Sequence, residues 1–152
     1  MPVTRREGRE WAVQMLFQLE LNPNMEQSAE QIFKEFWDGQ IRVNGDNPDV
    51  RPTPQIRKFS EGIVRGVMRN LDSIDEILVP KLDNWQMDRI GNVERSVLRM
   101  GVYELLFADD KPPVPVVINE AVDVCKFFVN SESARFVNGI LDAIAKGKCC
   151  TR

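Results

Sequence analysis

Hydrophobic positions recur every three or four residues along most of the 152-residue chain. This spacing places apolar side chains on one face of an α-helix. The first helix should begin at Thr4, because Thr4 and Glu7 have the spacing of a capping box. It should end near Leu21, since Asn22-Pro23 follows. Its inward face is predicted to consist of Ala12, Met15, Leu16 and Leu19.

A second helix is predicted from about Glu26 to Gln40, where apolar residues again recur at helical spacing. Residues 44–52 (NGDNPDVRP) then combine glycine, asparagine, aspartate and proline, which favour turns and loops. We expect this loop to divide two subdomains, at about 1–52 and 53–148.

Beyond the loop, Thr53-Pro54 predicts a helix start, with proline at the first helical position. The apolar steps continue without a break until Pro80, which predicts one long helix, straight or kinked, over this range.

The remaining chain also has helical spacing. A short helical turn is predicted at 87–90, a helix from Asn92, and a last helix from about Ser133. Gly101 would let another helix approach closely. Residues 114–118 (VPVVI) resemble a strand, but they contain proline and have no pairing partner, so they are interpreted as a helix entry. The prediction is an all-α fold with about seven helices.

Composition limits the kinds of catalysis and binding that the chain can carry out. The chain has 20 Lys and Arg against 23 Asp and Glu, a net charge of −3, and no histidine. It lacks the overall basic field of many nucleic-acid binders, so any such site must be local. The absence of histidine removes Ser-His and Cys-His catalysis and histidine-ligated zinc. No enzyme activity, cofactor or metal site is expected.

The three cysteines, Cys125, Cys149 and Cys150, have no C-x-x-C spacing and are odd in number. This argues against a disulfide framework and for a reduced, cytoplasmic compartment. No apolar run is long enough to span a bilayer, so no membrane association is expected.

Arg5, Arg6 and Arg9 cluster near the N-terminus. Arginine binds phosphate bidentately and stacks on unpaired bases, and a helix start offers free N–H groups to an anion. A solvated terminus with ordinary surface charge is the alternative, and the cluster by itself favours that alternative.

Three later segments occur in a characteristic order: VLRMGVYEL (97–105), INEAV (118–122) and RFVNGILD (135–142). Together with RREGRE (5–10) they resemble the NusB family of transcription antitermination factors. The resemblance covers nearly the whole chain and is strongest over 92–144.

This resemblance implies an all-helical fold of two small three-helix subdomains. It also implies binding of the boxA element of nascent ribosomal RNA leaders together with the ribosomal protein NusE, in the antitermination complex of RNA polymerase. It leaves open whether the free protein is a monomer or a homodimer. The alternative function is a helical protein-interaction module that binds no RNA.

By residue-wise match, the resemblance implies an RNA surface formed by the first helix and by the turn before the last helix. The predicted RNA-binding residues are Arg5, Arg6, Arg9, Gln14, Phe17, Lys126, Phe128, Ser133 and Arg135. Core packing is the alternative role for the two phenylalanines, and helix capping is the alternative for the serine.

Acidic residues are predicted to meet the partner protein. The resemblance places Asp88 and Glu94 at positions that face NusE, and it puts Glu132 on the rim of the turn before the last helix; all three are predicted partner-binding residues. Ribosomal proteins are basic, so acidic side chains there would steer association and set its register. The alternative is an ordinary solvated acidic face.

Overall fold

A computed structural model describes residues 4–21, 29–44, 52–82 and 87–150, without the side chains of 41–44, 88 and 148–150. These ranges contain seven α-helices and no strand, which confirms the all-α prediction. The helices are α1 (Arg5–Leu21), α2 (Ala29–Asn44), α3 (Pro54–Arg69), α4 (Leu71–Leu78), α5 (Asn92–Val102), α6 (Val114–Phe128) and α7 (Ser131–Cys150). There are also two 3₁₀ turns, at Val79–Leu82 and Met87–Arg89, and a π-helical turn at Tyr103–Phe107.

The chain divides into two compact units, Met1–Arg65 and Gly66–Arg152. The boundary falls within α3, later than the boundary near residue 52 that the loop pattern suggested. The first unit contains α1, α2 and most of α3. The second contains the end of α3 and four complete helices, α4 to α7.

The N-terminus of α1 is capped as predicted. The Glu7 backbone N–H donates to Thr4 Oγ1 over 3.4 Å, which satisfies one of the free donors at the helix start. The Glu7 carboxylate accepts from the Thr4 hydroxyl, also at 3.4 Å, where a capping box would have it bind the Thr4 backbone.

Aromatic side chains of α1 and α2 form the centre of the first unit. The Trp11 and Trp37 rings meet edge to face with centroids 5.6 Å apart, and Phe36 contacts Trp37 in the same way at 5.1 Å. Trp37 Nε1 donates to Glu61 Oε2 over 2.8 Å, so the indole N–H is satisfied. Of the predicted inward face of α1, Leu19 is only half-buried and the other three residues are buried.

The end of α2 lies beyond its predicted position. The helix continues to Asn44 instead of stopping at Gln40, because residues 41–43 contain no glycine or proline to end it. The predicted start at Glu26 and most of the predicted loop at 44–52 lie outside the described residues.

Ser60 links α3 to α1 inside the first unit. It is fully buried, and its hydroxyl donates to the Gly8 carbonyl over 2.7 Å. We expect Ser60→Ala to lower the free energy of unfolding by about 1 kcal/mol, the usual net value of one hydrogen bond. Ser73→Ala, at an exposed serine of α4, is the control and should change it little. Urea unfolding measures both, and equal midpoints would contradict a stabilising role for the Ser60 bond.

The predicted long helix from Thr53 to Pro80 is wrong in one respect, because it is two helices separated by Asn70. Asn70 has φ −110° and ψ 18°, outside the helical region. Its side-chain amide donates to the Gly66 carbonyl over 2.8 Å, and its backbone N–H donates to the same carbonyl over 3.1 Å, so the two donors share one helical acceptor. The apolar spacing continues through Ile74, which is why periodicity alone did not reveal the break.

In the second unit, α5 is buried on almost every side and packs against α6 and α7. Gly101 permits close approach of α7, as predicted, because a Cβ at that position would lie 2.7 Å from Leu141 Cδ1. Residues 114–118 are helical, as predicted. Pro113 precedes α6 and Pro115 lies in its first turn, where a missing N–H costs little.

Among the described residues, no helix has the length and apolar character needed to cross a membrane.

Candidate nucleic-acid interface

The arginines of α1 are organised by a ring that the sequence did not single out. Arg5 Cζ lies 4.7 Å from the centroid of the Phe59 ring, and Arg9 Cζ lies 5.2 Å from it. Phe59 belongs to α3, within the same unit. Guanidinium groups within about 6 Å of an aromatic centroid are attracted to the ring. Phe59 therefore gathers two of the three clustered cations.

Gly8 makes room for this ring. A Cβ at Gly8 would lie 2.9 Å from Phe59 Cδ2, too close without movement, so only glycine lets the ring approach α1 this closely. The Gly8 carbonyl also accepts from Ser60, the residue after Phe59. The beginning of α1 and the beginning of α3 are thereby held against each other.

The position of Arg5 and Arg6 in the first turn of α1 is electrostatically unfavourable. The N-terminus of a helix carries partial positive charge, so cations in the first turn cost a few tenths of a kcal/mol to about 1 kcal/mol. The contacts with Phe59 offset part of this cost. An anion bound at this place would remove the repulsion, because it would be attracted both by the guanidinium groups and by the free backbone N–H groups.

Other arginines of the first unit also stack on rings. Arg57 Cζ lies 5.4 Å from the Trp37 ring centroid, and Arg65 Cζ lies 4.9 Å from that of Phe33. Arg65 also pairs with Glu30 at 2.7 Å, and the pKa of the Glu30 carboxyl is lowered by this hydrogen bond. Ring stacking is thus a general packing device in this unit, and the exposed Arg5 differs from Arg65 in lying beside a helix start.

The structure separates the three predicted arginines by exposure. Arg5 is exposed and Arg6 is half-buried, whereas Arg9 is only 3% exposed. The sequence groups the three by charge, whereas the structure buries Arg9. Its place one turn before Ala12 on the buried face of α1 explains the burial. Gln14 and Phe17, further along α1, are both half-buried, so each presents part of its surface.

The second predicted cluster lies where α6 ends and α7 begins. Lys126 and Arg135 are exposed, and Phe128 is half-buried. Phe127, which the sequence analysis passed over, is 67% exposed and contacts the Phe128 ring edge to face at 5.0 Å. The predicted cations of this segment are therefore available to solvent together with an aromatic side chain.

Asn130, rather than Ser133, caps α7. Asn130 Oδ1 accepts from the Ser133 backbone N–H over 2.8 Å, so α7 begins at Ser131, two residues before the predicted start. The capping alternative for Ser133 is wrong. Its hydroxyl instead donates to Glu94 Oε2 over 2.9 Å. A predicted RNA-binding residue is thus bonded to a predicted partner-binding one.

These residues share a pocket of about 340 Å³ in the second unit, lined by Arg89, Glu94, Glu132, Ser133 and Phe136 among others. Glu94 lies in the first turn of α5 and Glu132 in the first turn of α7, where helix dipoles favour carboxylates. Two carboxylates and one guanidinium give the pocket mixed charge, so it attracts a phosphate less strongly than the surface beside Arg5 does.

The 3₁₀ turn that carries Asp88 is fixed by a buried arginine. Arg95 is 8% exposed and donates to the carbonyls of Met87 and Ile90 and to Asn92 Oδ1. Its planar fork suits several acceptors at once. The side chain of Asp88 lies outside the described residues.

The cysteine that the structure describes has no reactive character. Burial, and secondarily the charge of Glu94, raises the pKa of the Cys125 thiol to about 11, so it stays protonated at neutral pH. Within the described ranges, no three or more Asp, Glu or Cys side chains gather in a way that could hold a metal ion.

Comparison with known proteins identifies the family that this chain matches. A sequence model of the NusB family matches residues 6–146. Transcription antitermination protein NusB of Listeria monocytogenes serotype 4b (strain CLIP80459) is 40% identical over 141 residues, which cover 93% of this chain and 95% of that protein.

Solved structures of NusB proteins are also similar to this chain. T. maritima NusB is 34% identical, with a TM-score of 0.77 over 96% of this chain and 93% of its own. A crystal structure of antitermination factors NusB and NusE in complex with dsRNA contains a chain that is 28% identical, with a TM-score of 0.75 over 94% of this chain and 96% of its own. Because the family match extends over nearly the whole sequence and the solved NusB structures share its helical fold, the chain belongs to the NusB family.

Proposed function

We propose that this protein is a transcription antitermination factor that binds boxA-like single-stranded RNA of ribosomal RNA leaders together with NusE. The name of the Listeria relative supports the antitermination role, and the solved complex of NusB and NusE with RNA supports the two partners. The observation that carries the proposal is the pair of guanidinium groups gathered over Phe59 at the start of α1. It is a binding protein in this proposal, acting in the cytoplasm without catalysis.

In the first unit, Arg5 and Arg6 contact phosphate, whereas the buried Arg9 acts only through its charge. Arg5 is exposed and lies over Phe59, so part of its side-chain entropy is lost before RNA arrives. Arg9 lies 5.2 Å from the centroid of the same ring and adds positive potential without contacting phosphate. Gln14 and Phe17 extend the contact along α1, with amide and ring available to a base.

In the second unit, Lys126 and Arg135 neutralise phosphates and Phe128 lies in the same segment. Ser133 takes part through its bond to Glu94, which couples the RNA-binding segment to the acidic one. Asp88, Glu94 and Glu132 face basic NusE, and association with it delivers the RNA to the RNA polymerase antitermination complex.

The double variant Arg5→Ala/Arg6→Ala tests the first-unit site by its salt dependence. For single-stranded RNA, each lost phosphate contact reduces the slope of log K against log salt by about 0.7, so we expect the slope to flatten by about 1.4. Fluorescence anisotropy with boxA RNA across a salt series measures it. The charge-matched control Arg69→Ala/Lys111→Ala removes two exposed cations that no prediction places in the site and should leave the slope nearly unchanged.

Three outcomes decide the proposal. A slope unaltered by the double variant would remove α1 from the RNA surface. Absence of any shift with boxA RNA, with or without NusE and at low salt, would refute the proposed function and leave a protein-interaction module. Tighter binding to a duplex than to single-stranded boxA RNA would refute the single-stranded form of the proposal.

A further inference from the structure

Phe127 is the most exposed large hydrophobic side chain among the described residues, and the only aromatic one among those that are exposed. A buried phenylalanine gains about 1.5–3 kcal/mol from burial, and this ring forgoes most of that gain. Isolated exposed hydrophobic residues are common on protein surfaces, so exposure alone does not assign a role. The ring's immediate surroundings supply the further evidence.

A neighbouring ring holds Phe127 in place. The Phe127 and Phe128 planes meet at 74° with centroids 5.0 Å apart, the preferred edge-to-face arrangement. Phe128 is half-buried, so it is anchored, and Phe127 stands against it with two thirds of its surface open. A ring that is already oriented loses little conformational entropy when a flat ligand stacks on it.

The charge beside this ring suits a nucleic acid. Lys126 precedes Phe127 at the end of α6 and is exposed. An exposed ring next to a cation is the combination that binds single strands, because the base stacks while the phosphate is neutralised. A purely apolar protein contact would place fewer charges beside the ring.

We infer that Phe127 stacks on an unpaired base of the bound RNA, while Phe128 supports its orientation from beneath. This inference rests on the proposed function and adds a contact residue that the family resemblance did not indicate. The base is selected for its flat face and not for its edge, so Phe127 contributes affinity for single-stranded RNA with little sequence preference.

The test compares Phe127→Ala, Phe127→Leu and Phe127→Trp in the full-length protein, with labelled single-stranded boxA RNA. We expect Phe127→Ala to weaken binding about 5- to 150-fold, the range for loss of one stacked base. Phe127→Trp should retain the affinity, and Phe127→Leu should lose nearly as much as alanine. The salt slope should not change, whereas Lys126→Ala should flatten it by about 0.7.

Each outcome supports the inference or overturns it. Wild-type affinity for Phe127→Ala, in a protein whose Arg5→Ala/Arg6→Ala variant binds weakly, overturns the stacking role and leaves the proposed function intact. Wild-type affinity for Phe127→Leu also overturns it, because an apolar contact would then suffice. A loss confined to NusE binding in the absence of RNA assigns Phe127 to a protein contact instead. Failure of the wild-type protein to bind RNA identifies the proposed function as the error.

Discussion

Gly66→Ala is expected to lower the free energy of unfolding by about 1–3 kcal/mol, the usual cost of overpacking. A Cβ at Gly66 would lie 2.1 Å from Cε1 and 2.3 Å from Cζ of Tyr103, far inside contact distance. Tyr103 begins the π-helical turn after α5, and its ring is half-buried. The ring is rigid, so relief requires movement of the whole side chain or of the helix.

The matched control lies one turn earlier on the same helix. A Cβ at Gly62 meets no atom within 4 Å, and Gly62 is exposed. Gly62→Ala should therefore raise the free energy of unfolding by about 0.5–1 kcal/mol, because alanine loses less backbone entropy than glycine in a helix. The two substitutions are chemically identical, so their opposite signs isolate the contact with Tyr103.

Urea unfolding of the two variants measures this difference. In a Tyr103→Ala background the ring is absent, and Gly66→Ala should then become neutral or stabilising, which is a coupling between neighbouring sites. If Gly66→Ala and Gly62→Ala shift the unfolding midpoint in the same direction, the close packing of Tyr103 on α3 is wrong.

The burial of Arg9 could have been predicted from its helical spacing, although the charge cluster pointed to a different position. Arg9, Ala12 and Leu16 follow helical spacing, so Arg9 belongs to the inward face of α1 by position alone. The RNA-binding prediction grouped Arg9 with Arg5 and Arg6 by charge and did not use that helical spacing. The partner ring of Phe59 lies 50 residues later in sequence than Arg9, and no local pattern brings the two together.

The adjacent phenylalanines give a second example. The inward stripe of α6 passes through Ala121 and Cys125 to Phe128, which predicts Phe128 inside and Phe127 outside. The structure agrees with that spacing, whereas the family resemblance had selected Phe128 for the RNA surface. Periodicity therefore predicts the exposure of the two rings, whereas the RNA-binding role of this segment stays a prediction.

Two features of the fold could not be predicted from the apolar spacing and the loop composition. The break at Asn70 lies within a continuous apolar pattern, and a side-chain hydrogen bond to Gly66 accompanies its non-helical backbone. The division of the molecule falls inside α3, where the helical pattern is continuous. Loop composition marks where regular structure stops, and it does not report which helices share a core.

Arg95→Met should destabilise the second unit by about 2–4 kcal/mol, because it leaves one buried and two partly buried acceptors without this donor while preserving most of the side-chain volume. The guanidinium donates to the carbonyls of Met87 and Ile90, the latter over 3.0 Å, and to Asn92 Oδ1. These three acceptors fix the turn that leads into α5. We therefore expect the 87–92 segment to open and the turn to become sensitive to protease.

Arg89→Met provides the control, since Arg89 lies in the same 3₁₀ turn and is exposed. The same substitution there should change the free energy of unfolding by no more than about 0.5 kcal/mol. Arg95→Lys should fall between the two, because one ammonium group keeps the charge but cannot reproduce the planar fork. Urea unfolding and limited proteolysis of the three variants measure this order. Equal stability of Arg95→Met and Arg89→Met would mean that the Arg95 guanidinium does not hold the turn. The position of Glu94, the third residue of α5, would then depend on the packing of α5 alone.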